Sequence, residues 1–219
     1  STLNTNQILL NSKSNRFPDG LGNDSGLLGK YVAFHNYRAK ITAIHEGHLN
    51  FSPDGRKPTS SYIPRFRNVY KQETNFLRGY AAGFGTGKIS KINSNGFGKD
   101  LLNNLTIDNR KGAWRVGSHM MGETIPKKTN YVSLSKDQID KNGIPVLKVN
   151  VKYDNNDELM IKDFYEQFTE MYEKAGFKEI KTRDTKQAPG LDIHEMGGVR
   201  MGNDPKTSLL NKWNQMHHC

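Results

Sequence analysis

The sequence predicts an α+β fold: an antiparallel sheet of about six strands with helices on one face. Three observations carry this. Residues 113–123 and 144–153 alternate apolar and polar side chains with period two, as half-buried strands do. Residues 154–175 repeat apolar side chains at spacings of three and four, the period of a buried helix face. Gly, Asn, Asp and Pro cluster between the periodic segments, which marks turns.

In chain order, Leu3, Gln7, Ile8, Leu9 and Leu10 make a short helical pattern closed by Asn11-Ser12. Nothing caps its start, so the chain is expected to begin inside an element, as an internal piece of a longer protein would. Residues 16–30 form a Gly/Asp/Asn-rich loop; Asp19 and Asp24 alone lack the regular acidic spacing of a calcium loop. Leu27–His35 reads as a short helix or strand, and Tyr37–Ile44 as a strand. Residues 52–60 read as a loop, Phe76–Gly87 as a strand of small residues, 88–98 as a surface loop and Asp100–Ile107 as a short helix. Strands are expected at Ala113–Glu123, at Asn130–Leu134 and from Ile144-Pro145 onward. In the last, Leu147, Val149, Val151 and Tyr153 face one way. Asp154-Asn-Asn-Asp157 caps the clearest helix, with Met160, Phe164, Phe168, Met171, Tyr172 and Ala175 on its buried face and Gly176 at its end. A short strand, Phe177–Thr182, leads to the turn Pro189-Gly190.

Composition narrows the function classes. The 219 residues are polar, with a mean hydropathy of −0.76, but nine Tyr, ten Phe and two Trp supply core material that a disordered chain lacks. Net charge is +10, a balance compatible with a nucleic-acid or anionic-surface partner, yet Lys and Arg are spread along the chain. The densest run, Tyr62–Lys71, interleaves bases with aromatics as single-strand binders do; the plainer reading is a half-buried strand with a solvated basic face. The sole cysteine, Cys219, permits neither an intrachain disulfide nor a cysteine zinc site. No apolar run approaches 18 residues, so no membrane span is expected. No basic-then-apolar leader opens the sequence.

Several motifs fail their chemical tests. His45-Glu-Gly-His48 has no acidic or thiolate partner at ligand spacing, so a turn is expected there, not a metal site. Gly83, Gly85 and Gly87-Lys88 match neither the dinucleotide fingerprint nor a P-loop, because Lys88, Ala82 and Ile89 stand where Gly, Gly and Ser or Thr are needed. His194-Glu195 begins like a zinc protease motif, but Gly198 occupies the second His position and Gly197-Gly198 would break the required helix. What remains is His194-Glu-Met-Gly-Gly-Val-Arg-Met-Gly202, three Gly in nine residues behind a proton-active imidazole. A dense Gly turn beside a His reads as backbone making room for a flat ligand.

The pattern His194-x-x-Gly197-x-x-x-Met201-Gly202, continuing Asn-Asp-Pro-Lys-Thr to His217, resembles the carboxyl-terminal active-site segment of the glucose–methanol–choline (GMC) flavin oxidoreductases. It is most similar to their bacterial sugar-dehydrogenase branch, with glucoside 3-dehydrogenases and pyranose oxidase as kin. Leu3–Ser12, Phe17–His35, Tyr62–Asn68 and Gly122–Pro126 resemble other parts of the same family, which carries Thr at the position of Gly198. The resemblance implies a flavin-domain remnant and linker at 1–35, a substrate-binding domain at 36–188, and a return segment to the flavin domain at 189–219. It implies FAD as cofactor of the full-length enzyme, with Gly197, Gly198, Met201 and Gly202 near the flavin. It implies a small alcohol or sugar as substrate, and His194 as the base that accepts the hydroxyl proton while hydride leaves for flavin N5. His35, His45, His48, His119, His217 and His218 lack that Gly-rich setting. The second active-site residue of the family is expected beyond Cys219, and the amino-terminal dinucleotide fingerprint is absent. This chain alone is therefore expected to be colourless and inactive. The competing expectation is a stand-alone basic module that binds nucleic acid or glycan.

Overall fold

The computed structural model describes residues 2–50, 61–89, 97–106, 112–191 and 193–219. The loop expected at 52–60, most of that at 88–98 and the end of the helix expected to reach Ile107 lie outside them. The elements, in order, are α1 (Thr2–Asn11), β1 (Lys30–Ala33), β2 (His35–Asn36), β3 (Ala39–His45), β4 (Ser61–Ile63), β5 (Tyr80–Lys88) and α2 (Lys99–Thr106). Then follow β6 (Trp114–Glu123), β7 (Tyr131–Ile139), β8 (Pro145–Asn150), α3 (Asn155–Lys174), β9 (Lys178–Asp184) and β10 (Met196–Gly198). The class is α+β with antiparallel sheets, as the periodicities predict. The chain divides into two compact units. One is built from 1–36, 123–155 and 188–219, the other from 37–122 and 156–187.

The second unit holds most of two periodic segments, the alternating strand that ends near residue 122 and the helix that follows residue 155. Its antiparallel sheet runs β4-β5-β6-β3-β9. Strict alternation buries Ala39, Ile41 and Ala43 of β3 and Val116, Ser118 and Met120 of β6. Helix α3 covers that face with Met160, Phe164, Phe168 and Tyr172, joined by Ile161. Met171 packs at the margin and Ala175 is exposed, so the buried stripe is narrower than the spacing predicted. Gly176, at φ 76°, ends the helix in a Schellman motif. Its N–H donates to Glu173 O at 3.0 Å and the Phe177 N–H to Tyr172 O at 2.9 Å.

Two polar clusters tie elements of this unit together. Arg38 donates to both Asp184 oxygens, at 3.1 and 2.5 Å, and to Glu158 at 2.5 Å. Arg67 donates to both oxygens of Asp163, at 3.0 and 2.8 Å, and the Tyr80 hydroxyl donates to the same carboxylate at 2.7 Å. Burial drives the Tyr80 phenol far above its ordinary pKa, with the Asp163 carboxylate adding to the shift.

These contacts correct the reading of Tyr62–Lys71 as one strand. The strand stops at Ile63, because Pro64 has no N–H to give a ladder. Beyond it Asn68, at φ 52°, ties a turn through its side chain to Thr74 Oγ1, Phe76 O and Arg78 O. Arg65 donates to Arg67 O and Asn68 O, so two bases of the run are turned inward. The Gly-rich β5 pairs with β6 along its length, and the missing Cβ of Gly83 leaves the space that the His119 ring fills.

The first unit has a four-stranded antiparallel sheet in the order β10-β1-β7-β8. Strands β7 and β8, expected beside β6, pair here instead, joined by a turn in which Asp140 Oδ1 accepts from the N–H groups of Asn142 and Ile144. Two small apolar clusters hold the unit. Leu27, Leu28 and Leu209 make one; Val32, Phe34 and Val132, flanked by Leu147, Val151 and Tyr153, make the other. Val149 is 44% exposed despite its place in the β8 alternation.

Candidate functional site

The Gly-dense stretch becomes the edge strand β10 and the loop after it. Register decides what it presents. Lys30 lies opposite Gly198, but Ala33 lies opposite Met196, so Tyr31 and Val32 of β1 face the single residue Gly197. That is a β-bulge, and its first residue, Tyr31, sits at φ 60°. A bulky aromatic rarely adopts this left-handed conformation, whose cost is about 1–3 kcal/mol. Gly197, at φ 91°, permits the approach, since a Cβ there would lie 2.0 Å from Tyr31 O. The Arg200 guanidinium lies over the Tyr31 ring, 4.7 Å from its centroid.

The bulge shifts the pairing by one residue. Continued two residues past Ala33 and Met196, the shifted register sets His35 opposite His194. Without the shift, His194 would oppose Phe34. The His35 Nε2 and His194 Nδ1 atoms are 3.0 Å apart, with the rings edge to face at 79°. His194, at φ 66°, is exposed. Both partners are anchored through their neighbours. Thr124 Oγ1 accepts from the Phe34 N–H at 3.1 Å and donates to Phe34 O at 2.6 Å, while the Tyr153 hydroxyl donates to His35 O at 3.4 Å. On the other side Thr2 Oγ1 donates to Glu195 O at 2.7 Å.

The other candidate residues have in-chain roles. A Cβ on Gly198, at φ 75°, would meet Asn6 Oδ1 at 2.2 Å, and Asn6 is fully buried with that oxygen unpartnered. Gly202 donates its N–H to Leu210 O at 2.8 Å, and a Cβ there would meet Ser208 Cβ at 2.9 Å. Met201 bridges to Leu210 with its side chain 52% exposed. His217 Nε2 lies 3.1 Å from both Ser208 Oγ and Gly202 O, so it braces this loop. The glycines thus make room for the chain's own strand β1, for Asn6 and for Ser208.

In the second unit, His45 and His48 stack at 6.0 Å and line an apolar cavity of about 500 Å³ with Thr86, Trp114 and Phe177. Among the described residues no group of three or more His, Cys, Asp or Glu gathers as metal ligands would. No helix among them is long and apolar enough to cross a membrane.

Sequence reasoning set His35 aside for want of a Gly-rich setting. Only the register of β1 against β10 reveals it, and the sole local sign was the Gly pair that the bulge needs. Next to His194 in the chain, Ile193 and Met196 are each at least half exposed, apolar side chains of the kind a flat ring system packs on. Apolar side chains beside an exposed imidazole are chemistry that fits the ring end of a flavin.

Residues 126–219 match the family described as GMC oxidoreductase. Over 232 aligned residues the chain is 30% identical to 2-methyl-1,2-propanediol dehydrogenase of Mycolicibacterium austroafricanum, an alignment that covers 98% of this chain and 39% of that protein. It is 25% identical to 6'''-hydroxyparomomycin C oxidase of Streptomyces lividus over 214 residues, 96% of this chain and 35% of the other. The chain thus spans less than two fifths of the length of the curated relatives it matches.

Proposed function

We propose, from a chain whose residues 126–219 are GMC oxidoreductase sequence, that it supplies the substrate side and the base of an FAD-dependent alcohol dehydrogenase or oxidase. The observation that carries this reading is the exposed His194 imidazole, held by a strand edge and paired with a second imidazole at 3.0 Å. FAD, when bound, supplies the redox chemistry by taking hydride from the alcohol carbon. The work of this chain is the proton. Loss of hydride alone would leave a cationic, protonated carbonyl, so the hydroxyl proton must leave as well. A neutral imidazole is suited to receive it near neutral pH. His194 takes this role, with Nε2 as the receiving atom because Nδ1 is engaged with His35.

The exposed Met201 side chain and the backbone of Gly197, Gly198 and Gly202 would border the flavin, with Ile193 and Met196 excluding water from the proton transfer. Residues 1–35 and 189–219 are assigned to the flavin side, a reading supported by their lying in one compact unit; of 36–188, assigned to the substrate side, 37–122 and 156–187 form the other unit while 123–155 share the unit of the two ends. The substrate class is a hydroxyl compound, a polyol or sugar. One relative's name is that of a diol dehydrogenase and the other's that of an oxidase of a hydroxylated compound.

The test is His194→Ala in the FAD-loaded enzyme. Positioned general bases contribute about 10²–10⁴ in rate, so reduction of the flavin by substrate should slow by that factor while FAD stays bound. A rate within a few-fold of the parent, with the same pH profile, would remove His194 from the chemistry.

A further inference from the structure

We propose that His35 is the positioning residue of His194: its Nε2 accepts a hydrogen bond from the His194 Nδ1–H and so keeps Nε2 of His194 free to receive a proton. The inference rests on His194 being the base, and it follows from counting protons. Two neutral imidazoles joined between His35 Nε2 and His194 Nδ1 share one proton in that bond. If the proton belonged to His35, His194 would carry its own proton on Nε2 and would face the substrate as a donor. If it belongs to His194 Nδ1, the Nε2 lone pair is bare. Only the second arrangement lets His194 act as a base. When Nε2 then takes the hydroxyl proton, the imidazolium still donates from Nδ1 to the same acceptor, so the pair is already in the geometry that the charged state needs.

Three features show that the contact is built in. The Tyr31 bulge, which only Gly197 can face, supplies the one-residue shift that sets the rings opposite each other. Thr124 clamps both backbone groups of Phe34 next to His35, and Tyr153 holds the His35 carbonyl. His194 is kept in a left-handed conformation that the chain would leave unless it were held. The arrangement has the logic of a base oriented by a third group, with an imidazole where a carboxylate is more usual.

The test reads the tautomer directly. Nitrogen-15 spectra of the histidine rings are recorded on the 219-residue chain above the imidazole pKa, with His194 assigned by its loss in His194→Ala. The same spectra are taken for His35→Gln, which keeps an acceptor at the Nε2 position, and His35→Leu, which does not. The parent and His35→Gln should show His194 protonated on Nδ1 with Nε2 bare, and His35→Leu should move the proton toward Nε2. In the FAD-loaded enzyme, His35→Leu should slow flavin reduction about tenfold or more, and His35→Gln should recover to within a few-fold of the parent. A parent spectrum with His194 protonated on Nε2 overturns the proposal, as does an unchanged tautomer in folded His35→Leu. The parent spectrum decides even if His35→Leu does not fold. An Nε2–H tautomer together with a large loss in His194→Ala would sink only the role of His35. No loss in His194→Ala would sink the base itself.

Discussion

The two compact units put their order in different places. In the second, order resides in side chains: one stripe of α3 and one face of β3 and β6 interlock in a single aromatic-rich cluster. In the first, order resides in the backbone: two small clusters, a bulge with Tyr31 at φ 60°, and glycines at φ 91° and 75° that admit Tyr31 O and Asn6. A periodic core tolerates imprecise backbone, because many side chains share the burial. A pair of facing imidazoles does not, because a one-residue slip would put Phe34 where His35 now stands. The paired imidazoles sit in the unit where geometry is set residue by residue.

The sharpest way to break this contrast is to empty the second unit's core. Phe164 is fully buried among Tyr80, Tyr165 and Phe168, so Phe164→Ala should cost about 3–5 kcal/mol in denaturant unfolding. The next largest effect belongs to the backbone of the first unit. Gly197→Ala puts a Cβ 2.0 Å from Tyr31 O at φ 91°, and the left-handed penalty alone is about 1–2 kcal/mol. The spectroscopic signature of the His35–His194 pair should vanish with it. A variant that keeps both the stability and the paired imidazoles would show that the bulge does not set the register.

Acid provides a third probe, of the second unit's Arg38 cluster. The Arg38 guanidinium holds the Asp184 carboxyl well below its usual range, against the opposing pull of burial. A carboxylate depressed in the folded state stabilises fully above its unfolded pKa near 4, and that stability is lost as pH falls toward the folded value. The unfolding midpoint should therefore drop between about pH 4 and lower pH. Asp184→Asn should lose about 1–3 kcal/mol at neutral pH and flatten that acid limb, and an unflattened limb would assign it to other carboxylates. The smallest effect is expected at Val149. Alternation alone assigns it to the same buried face as Leu147, yet at 44% exposure Val149→Thr should change stability by no more than about 0.5 kcal/mol.

The same contrast explains what was legible in the sequence. Met160, Phe164, Phe168 and Tyr172 announce their helix face because one element buries them all at its own period. The β6 strand is legible for the same reason. Tyr62–Lys71 misleads because its alternation is accidental: Pro64 ends the ladder and Asn68 replaces strand pairing with side-chain bonds to three groups. The placement of β7 and β8 in a separate sheet depends on partners far along the chain, which periodicity does not encode. His194 stood out through its glycines, yet those glycines answer to Tyr31, Asn6 and Ser208, none of which is marked in the motif. His35 was illegible because its partner lies 159 residues away and the pairing exists only through a bulge.

That separation bears on how the site comes into being during synthesis. In chain order β1 precedes both of the second unit's segments and β10 follows them, so the edge that β1 offers is taken by β10 only after those segments have been made. Contacts of such long sequence separation form slowly, since loop closure must precede any gain from pairing. The His35–His194 contact therefore cannot form until both segments of the second unit have been made. A prematurely ended product that lacked residues 188–198 would hold both segments of the second unit and no His35–His194 pair, so the pair is completed with the last of that sheet's described strands to be made.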